Sequence, residues 1–361
     1  MTIHQEPKSQ VAIHGMLHSH NFGDVLLAAA FRKWVLEASP QSEVVFPWAR
    51  EACLKDIHAG TPGEPLPLPQ SAQQAKILFC GGQYVNDGNS TKGAYRRFRN
   101  IQGKGVFGRL RGARYAAFGI GIGPLGTLAG KFLNAAFLRG ADVVAVREED
   151  SLVLARKLGV PEKKLVLVSD AAIAYVDELS GLTKKAPVDN DRTLLLHISL
   201  SNEALVLGIE KYLKQHGKIY SRIVVTADKL GKSPVEAVKE YLKKAGFPVT
   251  VCDYTSHLAL IDLINKSDDV LTTKYHVGIV AGALGKRVCA IPWNHYKVQR
   301  FYQEVGSAGS CQPLGGTNAH SVAKTLEKAF VDSAAVKLPE GMQKRSSDNK
   351  QLVNQWISQA I

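Results

Sequence analysis

Short runs rich in β-branched residues alternate with amphipathic helical stretches along almost the whole chain, and this alternation most tightly limits the fold. Apolar runs of strand character cover 11–15, 44–46, 76–80, 115–120, 142–146 and 164–168. Between them, 24–38 places Leu26, Leu27, Ala30, Phe31, Trp34 and Val35 on one face of period 3.6, which predicts a helix. Segments 128–138 and 148–158 read the same way, and the Pro-rich stretch 60–70 predicts a loop. Strands separated by helices imply βαβ units, and hence parallel sheets.

A second series begins after a polar break at 180–192. Its strands are 194–198, 222–226, 249–252, 270–272 and 288–291, with helices near 203–215, 234–245, 257–265, 276–284, 296–304 and 319–331. A tail from 337 contains 351–361, a further helix expected to pack back on the first domain. The fold class is therefore α/β, with two Rossmann-like domains: 1–182, carrying a basic segment at 90–115, and 193–332, followed by the tail 337–361. That plan resembles the GT-B arrangement, in which a ligand lies in the cleft between two sheets at the carboxyl ends of their strands.

Charge and cysteine content narrow the function. Lys plus Arg number 45 against 32 Asp plus Glu, a net charge of +13 in 361 residues. Lys92, Arg96, Arg97, Arg99, Lys104, Arg109, Arg111 and Arg114 supply 8 of those charges with no acidic residue among them. Such a block suits phosphate, pyrophosphate, a membrane surface or nucleic acid, or else forms a solvated loop. No apolar run reaches the roughly 20 residues of a membrane span. The first ten residues contain Glu6 and Pro7 and lack the apolar core of a secretory signal. Five cysteines at 53, 80, 252, 289 and 311 form no C-x-x-C pair, so a reduced, cytoplasmic protein is expected.

Several familiar chemistries fail on detail. Gly121-Ile-Gly123-Pro-Leu-Gly126 is formally G-x-G-x-x-G, but it lies some 115 residues in, Pro124 stiffens it, and Asp142 precedes the next strand instead of ending it. Nicotinamide and flavin sites are accordingly disfavoured. No G-x-x-x-x-G-K-[ST] or G-x-S-x-G exists, and His18-Ser-His20 lacks the further ligands a metal needs. What remains is a set of polar clusters at strand ends: 14–24, 79–87, 119–124, 146–151, 169–170, 273–276 and 291–297.

In order and spacing these clusters resemble the polysaccharide pyruvyltransferase family over about residues 11–306. Asn21 to Asp24 matches its N-x-G-D, and Gly81, Gly82 and Asp87 its Gly-Gly turn with a following Asp. Gly121 to Pro124 matches G-x-G-P; Arg147, Ser151 and Asp170 match R-x-x-x-S with a downstream Asp. Lys274-Tyr-His276 stands where R-x-H is usual, and His295-Tyr296-Lys297 meets a late Y-x-x-K-like element. Lys274 keeps a cation there but loses the bidentate fork of Arg, and Cys80 replaces a common Gly.

The resemblance implies transfer of the pyruvyl group of phosphoenolpyruvate to sugar hydroxyls of a bacterial surface glycan or its lipid-linked precursor, forming a ketal. It implies the acceptor on the first domain and the donor on the second. His276 would be the general acid; Arg147, Lys274, Lys297, Gly121 and Gly123 would bind the donor; Asn21, Asp24 and Asp87 would contact the acceptor. Neither metal nor cofactor is demanded. If the acceptor is lipid-linked, the basic segment 92–114 suits peripheral contact with the inner face of the plasma membrane. Two other readings keep weight: a GT-B glycosyltransferase taking a nucleotide-sugar, and a non-catalytic binder of an anionic glycan or nucleic acid.

Overall fold

The computed structural model describes residues 10–60, 76–180, 192–199, 201–228, 234–293 and 296–359. It divides into two compact units, one made of 1–20, 24–174 and 341–361, the other of 21–23 and 175–340. The Pro-rich loop and most of the polar break between the two series lie outside the described residues, as does His295.

The first unit is built on six parallel strands, β1 (Gln10–His14), β2 (Glu43–Val45), β3 (Lys76–Cys80), β4 (Arg114–Ile120), β5 (Val144–Val146) and β6 (Leu165–Leu167), in the order β2-β1-β3-β4-β5-β6. Its helices are α1 (Phe22–Ala38), α2 (Glu51–Ile57), α3 (Thr91–Arg97), α4 (Gly103–Leu110), α5 (Leu128–Gly140), α6 (Glu149–Lys157) and α7 (Ala171–Ser180), although residues 21–23 at the start of α1 go with the second unit. The strands are apolar on both faces because helices cover both. Phe79, Tyr115 and Phe137 meet with ring centroids 4.9–6.0 Å apart. Burying each such ring contributes about 1.5–3 kcal/mol.

The basic block is helical, which corrects the solvated-loop reading. Ser90 caps α3 by accepting the Gly93 N–H at 3.0 Å, and a π-helical turn (Phe98–Gln102) carries the chain into α4. The buried side of this continuous helical run is small: Gly103 and Gly105 are buried, and a Cβ at Gly105 would crowd Phe79 and Tyr115 at 2.9–3.1 Å. Glycine contact takes the place of the apolar stripe that would announce a helix.

The second unit has five parallel strands: β7 (Thr193–His197), β8 (Arg222–Thr226), β9 (Val249–Val251), β10 (Asp269–Thr272) and β11 (Arg287–Ala290), ordered β11-β10-β7-β8-β9. Its helices are α8 (Glu203–His216), α9 (Val235–Lys244), α10 (His257–Asn265), α11 (Tyr275–Ala283), α12 (Tyr296–Glu304) and α13 (Ala319–Phe330). Asn202, Ser256 and Asn318 cap α8, α10 and α13 with their side chains. The chain then returns to the first unit as α14 (Glu340–Ser358), longer than the helix expected at 351–361. Lys76 donates to the carbonyl of Ile357, Asn349 to that of Ser169 (2.9 Å), and the Trp356 indole to Asp142 (3.1 Å). Among the described residues, no helix is long and apolar enough to cross a membrane.

Each sheet reverses direction of winding once, between β1 and β3 in the first unit and between β7 and β10 in the second. Loops leaving the carboxyl ends of such neighbours diverge to opposite faces and leave a crevice for a ligand.

Candidate active site

In the second unit, the crevice beyond β7 and β10 is lined by residues that follow those strands and β8. Asp228, two residues beyond β8, is the hub and is only 2% exposed in its side chain. It accepts from the Ser199 hydroxyl at 2.6 Å and the Phe22 N–H at 3.2 Å, lies 4.0 Å from His197 Nε2, and meets Lys274 Nζ at 3.8 Å. Burial opposes its ionisation, but His197, Lys274, the Ser199 hydroxyl and the Phe22 amide outweigh that and hold the carboxyl below its usual range. Burial, aided by Lys274, pushes the His197 imidazole down against the pull of Asp228. Burial thus works against a charged His197 even beside Asp228.

Lys274 caps α11 from an extended backbone, its N–H donating to Thr272 Oγ1 at 3.0 Å. Its side chain is 28% exposed, so the ammonium reaches solvent while leaning on Asp228. His276 follows in the first turn of α11. Its imidazole packs edge-on against Tyr275 at 5.1 Å, and Lys297 Nζ stands 5.2 Å from the same Tyr275 ring. Gly23 presses on the His276 ring so closely that a Cβ there would overlap Nδ1 and Cγ. Asn21 shapes that approach by accepting the Gly23 N–H at 3.0 Å. Asn21, Lys274, His276 and Lys297 therefore belong to one constellation. His197, Ser199 and Asp228 were not singled out from the sequence; polar residues at the carboxyl ends of β7 and β8 were the available signal.

The first unit gathers the others. Arg147 follows β5 with its side chain 2% exposed, donating from Nη1 to Asp170 at 2.8 Å, with Glu148 at 3.9 Å from Nε. Its buried partner is thus Asp170, with Glu148 more distant. Gly121 admits this arrangement, since a Cβ there would stand 2.9 Å from Glu148 Oε1 and 3.4 Å from Arg147 Nε. Ser151 is fully buried and accepts the Ile122 N–H at 2.8 Å. Gly123, at φ +98, turns the backbone where Gln83 donates to its carbonyl at 3.0 Å. Asp24 opens α1 beside Gly82, whose Cβ would lie 3.8 Å from its Oδ1.

Asp87 is fully buried and accepts from the backbone of Thr127 (2.6 Å) and Asn89 (2.9 Å). Burial resists its ionisation, but those N–H groups outweigh it and lower the pKa. It braces the approach to α5. Of the two histidines weighed for a metal, His20 pairs with Asp56 at 3.0 Å. Among the described residues, no group of three or more His, Cys, Asp or Glu could hold a metal ion.

Known proteins can be set beside this geometry. The chain is similar to UDP-GlcNAc 2-epimerase from Neisseria meningitidis bound to UDP-GlcNAc (TM-score 0.62, 13% identity, covering 96% of this chain and 100% of the other). It is also similar to the UDP-GlcNAc 2-epimerase of Methanocaldococcus jannaschii in complex with UDP-GlcNAc and UDP (0.56, 13%, 97% and 99%). A glycosyltransferase from Rickettsia africae ESF-5 aligns with TM-score 0.50 at 11% identity, covering 97% and 94%. These likenesses establish a GT-B-type fold of two parallel-sheet units, and nothing about the reaction. No curated protein matches the chain in sequence. The family profile described as polysaccharide pyruvyl transferase, however, matches residues 21–295, from the Asn21 turn to the cluster after β11 and stopping short of Lys297, and the chain belongs to that family.

Proposed function

We propose that the protein transfers the pyruvyl group of phosphoenolpyruvate to a saccharide, closing a ketal across two hydroxyls. The observation that carries this reading is the Lys274–His276 pair at the head of α11, with Lys297 behind Tyr275, in a chain of this family. His276 protonates the donor's methylene carbon, and positive charge develops at C2. A sugar hydroxyl adds there and loses its proton; a second hydroxyl displaces the phosphate, which departs with the C2–O bond electrons. The products are one cyclic ketal and one inorganic phosphate, so the atoms balance without an added cofactor. Lys274 and Lys297 bear the donor's phosphate and carboxylate. Arg147, already paired to Asp170, is a positioning residue that holds the Gly121 turn.

Peripheral membrane contact belongs to the same reading. Gly88 to Ala141 contains no acidic residue, while Phe107 and Leu110 on α4 and Leu128 and Phe132 on α5 are exposed. Apolar side chains among cations suit a bilayer of anionic lipid. Sedimentation with anionic vesicles should fall in Leu128→Ser/Phe132→Ser; equal sedimentation removes the membrane from the account.

Calorimetry of phosphoenolpyruvate against UDP- and GDP-sugars tests the donor. Phosphoenolpyruvate should bind, more weakly in Lys274→Gln and nearly unchanged in His276→Gln. Binding of nucleotide-sugars alone would replace this reading with glycosyl transfer.

A further inference from the structure

A cavity of about 720 Å³ opens in the first unit at the carboxyl end of β1, and none of the residues assigned above to the donor lines it. His14 and Trp48 line it, and Arg96, Arg97, Arg99 and Lys104 line it from the α3–α4 helical run. No carboxylate lines it, and none of the four cations makes an ion pair among the described residues. Uncompensated cations converging on a concave surface repel one another, and an anion relieves that repulsion.

Two further observations point to what fills it. His14 is 6% exposed, stacked on Phe79 at 5.3 Å, and its Nε2 has no hydrogen-bond partner among the described residues. A buried ring nitrogen left without a partner at a cavity wall is a vacancy for a ligand oxygen. Trp48 is 62% exposed, with Lys104 Nζ 4.2 Å from its ring. An indole held in place by a cation offers a flat apolar plate, which suits the C–H face of a pyranose. The volume exceeds what a single phosphate needs and lies in the range of small-molecule sites.

We propose that this cavity binds a saccharide joined to a diphosphate, with the diphosphate among Arg96, Arg97, Arg99, Lys104 and His14 and the adjoining sugar on Trp48. Calling that molecule the acceptor rests on the pyruvyl-transfer reading; the cavity's ligand chemistry does not. Such a diphosphate occurs both in soluble nucleotide-sugars and in lipid-linked sugars.

The test uses the full chain, calorimetry and tryptophan fluorescence. The probes are inorganic pyrophosphate, UDP-GlcNAc, and GlcNAc on a short polyprenyl diphosphate in detergent. All three should bind, about tenfold or more weakly in Arg96→Gln/Arg99→Gln and again in Lys104→Gln, with loss of affinity as salt rises. The glycosylated probes should bind tighter than pyrophosphate, an advantage abolished in Trp48→Ala. Whichever of the two glycosylated probes binds tighter identifies the source of the diphosphate. Unchanged affinity in variants of unaltered melting temperature overturns the proposal. So does displacement of pyrophosphate by phosphoenolpyruvate at the donor's own Kd, which would place both in one site. Pyrophosphate binding without any phosphoenolpyruvate binding would sustain the cavity and end the pyruvyl-transfer reading.

Discussion

Each unit holds a cation against an aspartate at the carboxyl end of its sheet, and the two pairs are built to opposite ends. Arg147 and Asp170 meet at 2.8 Å with side chains 2% and 5% exposed. Lys274 and Asp228 stand 3.8 Å apart, and the lysine is 28% exposed. In the closed pair, Asp170 also accepts the Ala172 N–H at 3.1 Å and so fixes the start of α7. In the open pair, Asp228 has the Ser199 hydroxyl and the Phe22 N–H as well, so it stays satisfied if the lysine leans toward an incoming anion. A buried pair of good geometry holds a fold, whereas a loose one can lend its charge to a substrate.

The variants that probe this contrast differ in size of effect. His276→Gln beside the open pair should lower kcat by about 10²–10⁴ while leaving donor affinity and melting temperature nearly unchanged. A parallel loss of donor affinity would make the imidazole a binding group instead. Arg147→Met should strand Asp170 and cost about 3–5 kcal/mol in denaturant unfolding. A stable Arg147→Met protein that has lost only phosphoenolpyruvate binding would reverse the assignment of closed and open pairs.

Acid provides a third probe, directed at the first unit. Burial, then the nearness of Lys104, lowers the His14 pKa to about 4 from its usual 6.5, so the unfolded chain takes up a proton first as pH falls. Stability should drop by about 3 kcal/mol between pH 6.5 and 4. A His14→Gln variant should lack that slope. The smallest effect is expected of Lys274→Gln, with the donor KM raised about tenfold to a hundredfold and only about 1 kcal/mol of stability lost. A larger stability loss there would mean that the second pair is as closed as the first.

The parallel-sheet architecture was legible because the strands are short, largely apolar runs separated by helical periods; 76–80 and 222–226 match their strands residue for residue. The α3–α4 helical run was not, because glycines and cations stand where a periodic apolar face would be. Helix α7 was hidden for the opposite reason: Ala171 to Val176 are all buried, so no polar face marks a period. The first half of α14 is a run of Lys, Arg, Ser and Asn whose helicity follows from docking, with Ser346 and Asn349 buried. At the site, motif order singled out Arg147 and Asp170, but 23 positions apart they gave no sign of being each other's partner. Trp48 was passed over, since a lone exposed indole has meaning only beside the cations that fold brings to it.

The return of α14 to the first unit has a consequence for how the protein is made. Lys76 lies on β3, yet its ammonium is satisfied by the carbonyls of Ile357 and Gln359. Ser169 and Asp170 likewise offer their carbonyls to Asn349 and Ser346. A ribosome delivers the whole second unit before it delivers these partners. The first unit must therefore wait, with a lysine and two strand-end carbonyls unmet, while some 165 residues are translated (175–340). At about 5–20 residues per second that interval lasts roughly 8–33 s. Until it ends, the surface later covered by Trp356 is open to chaperones.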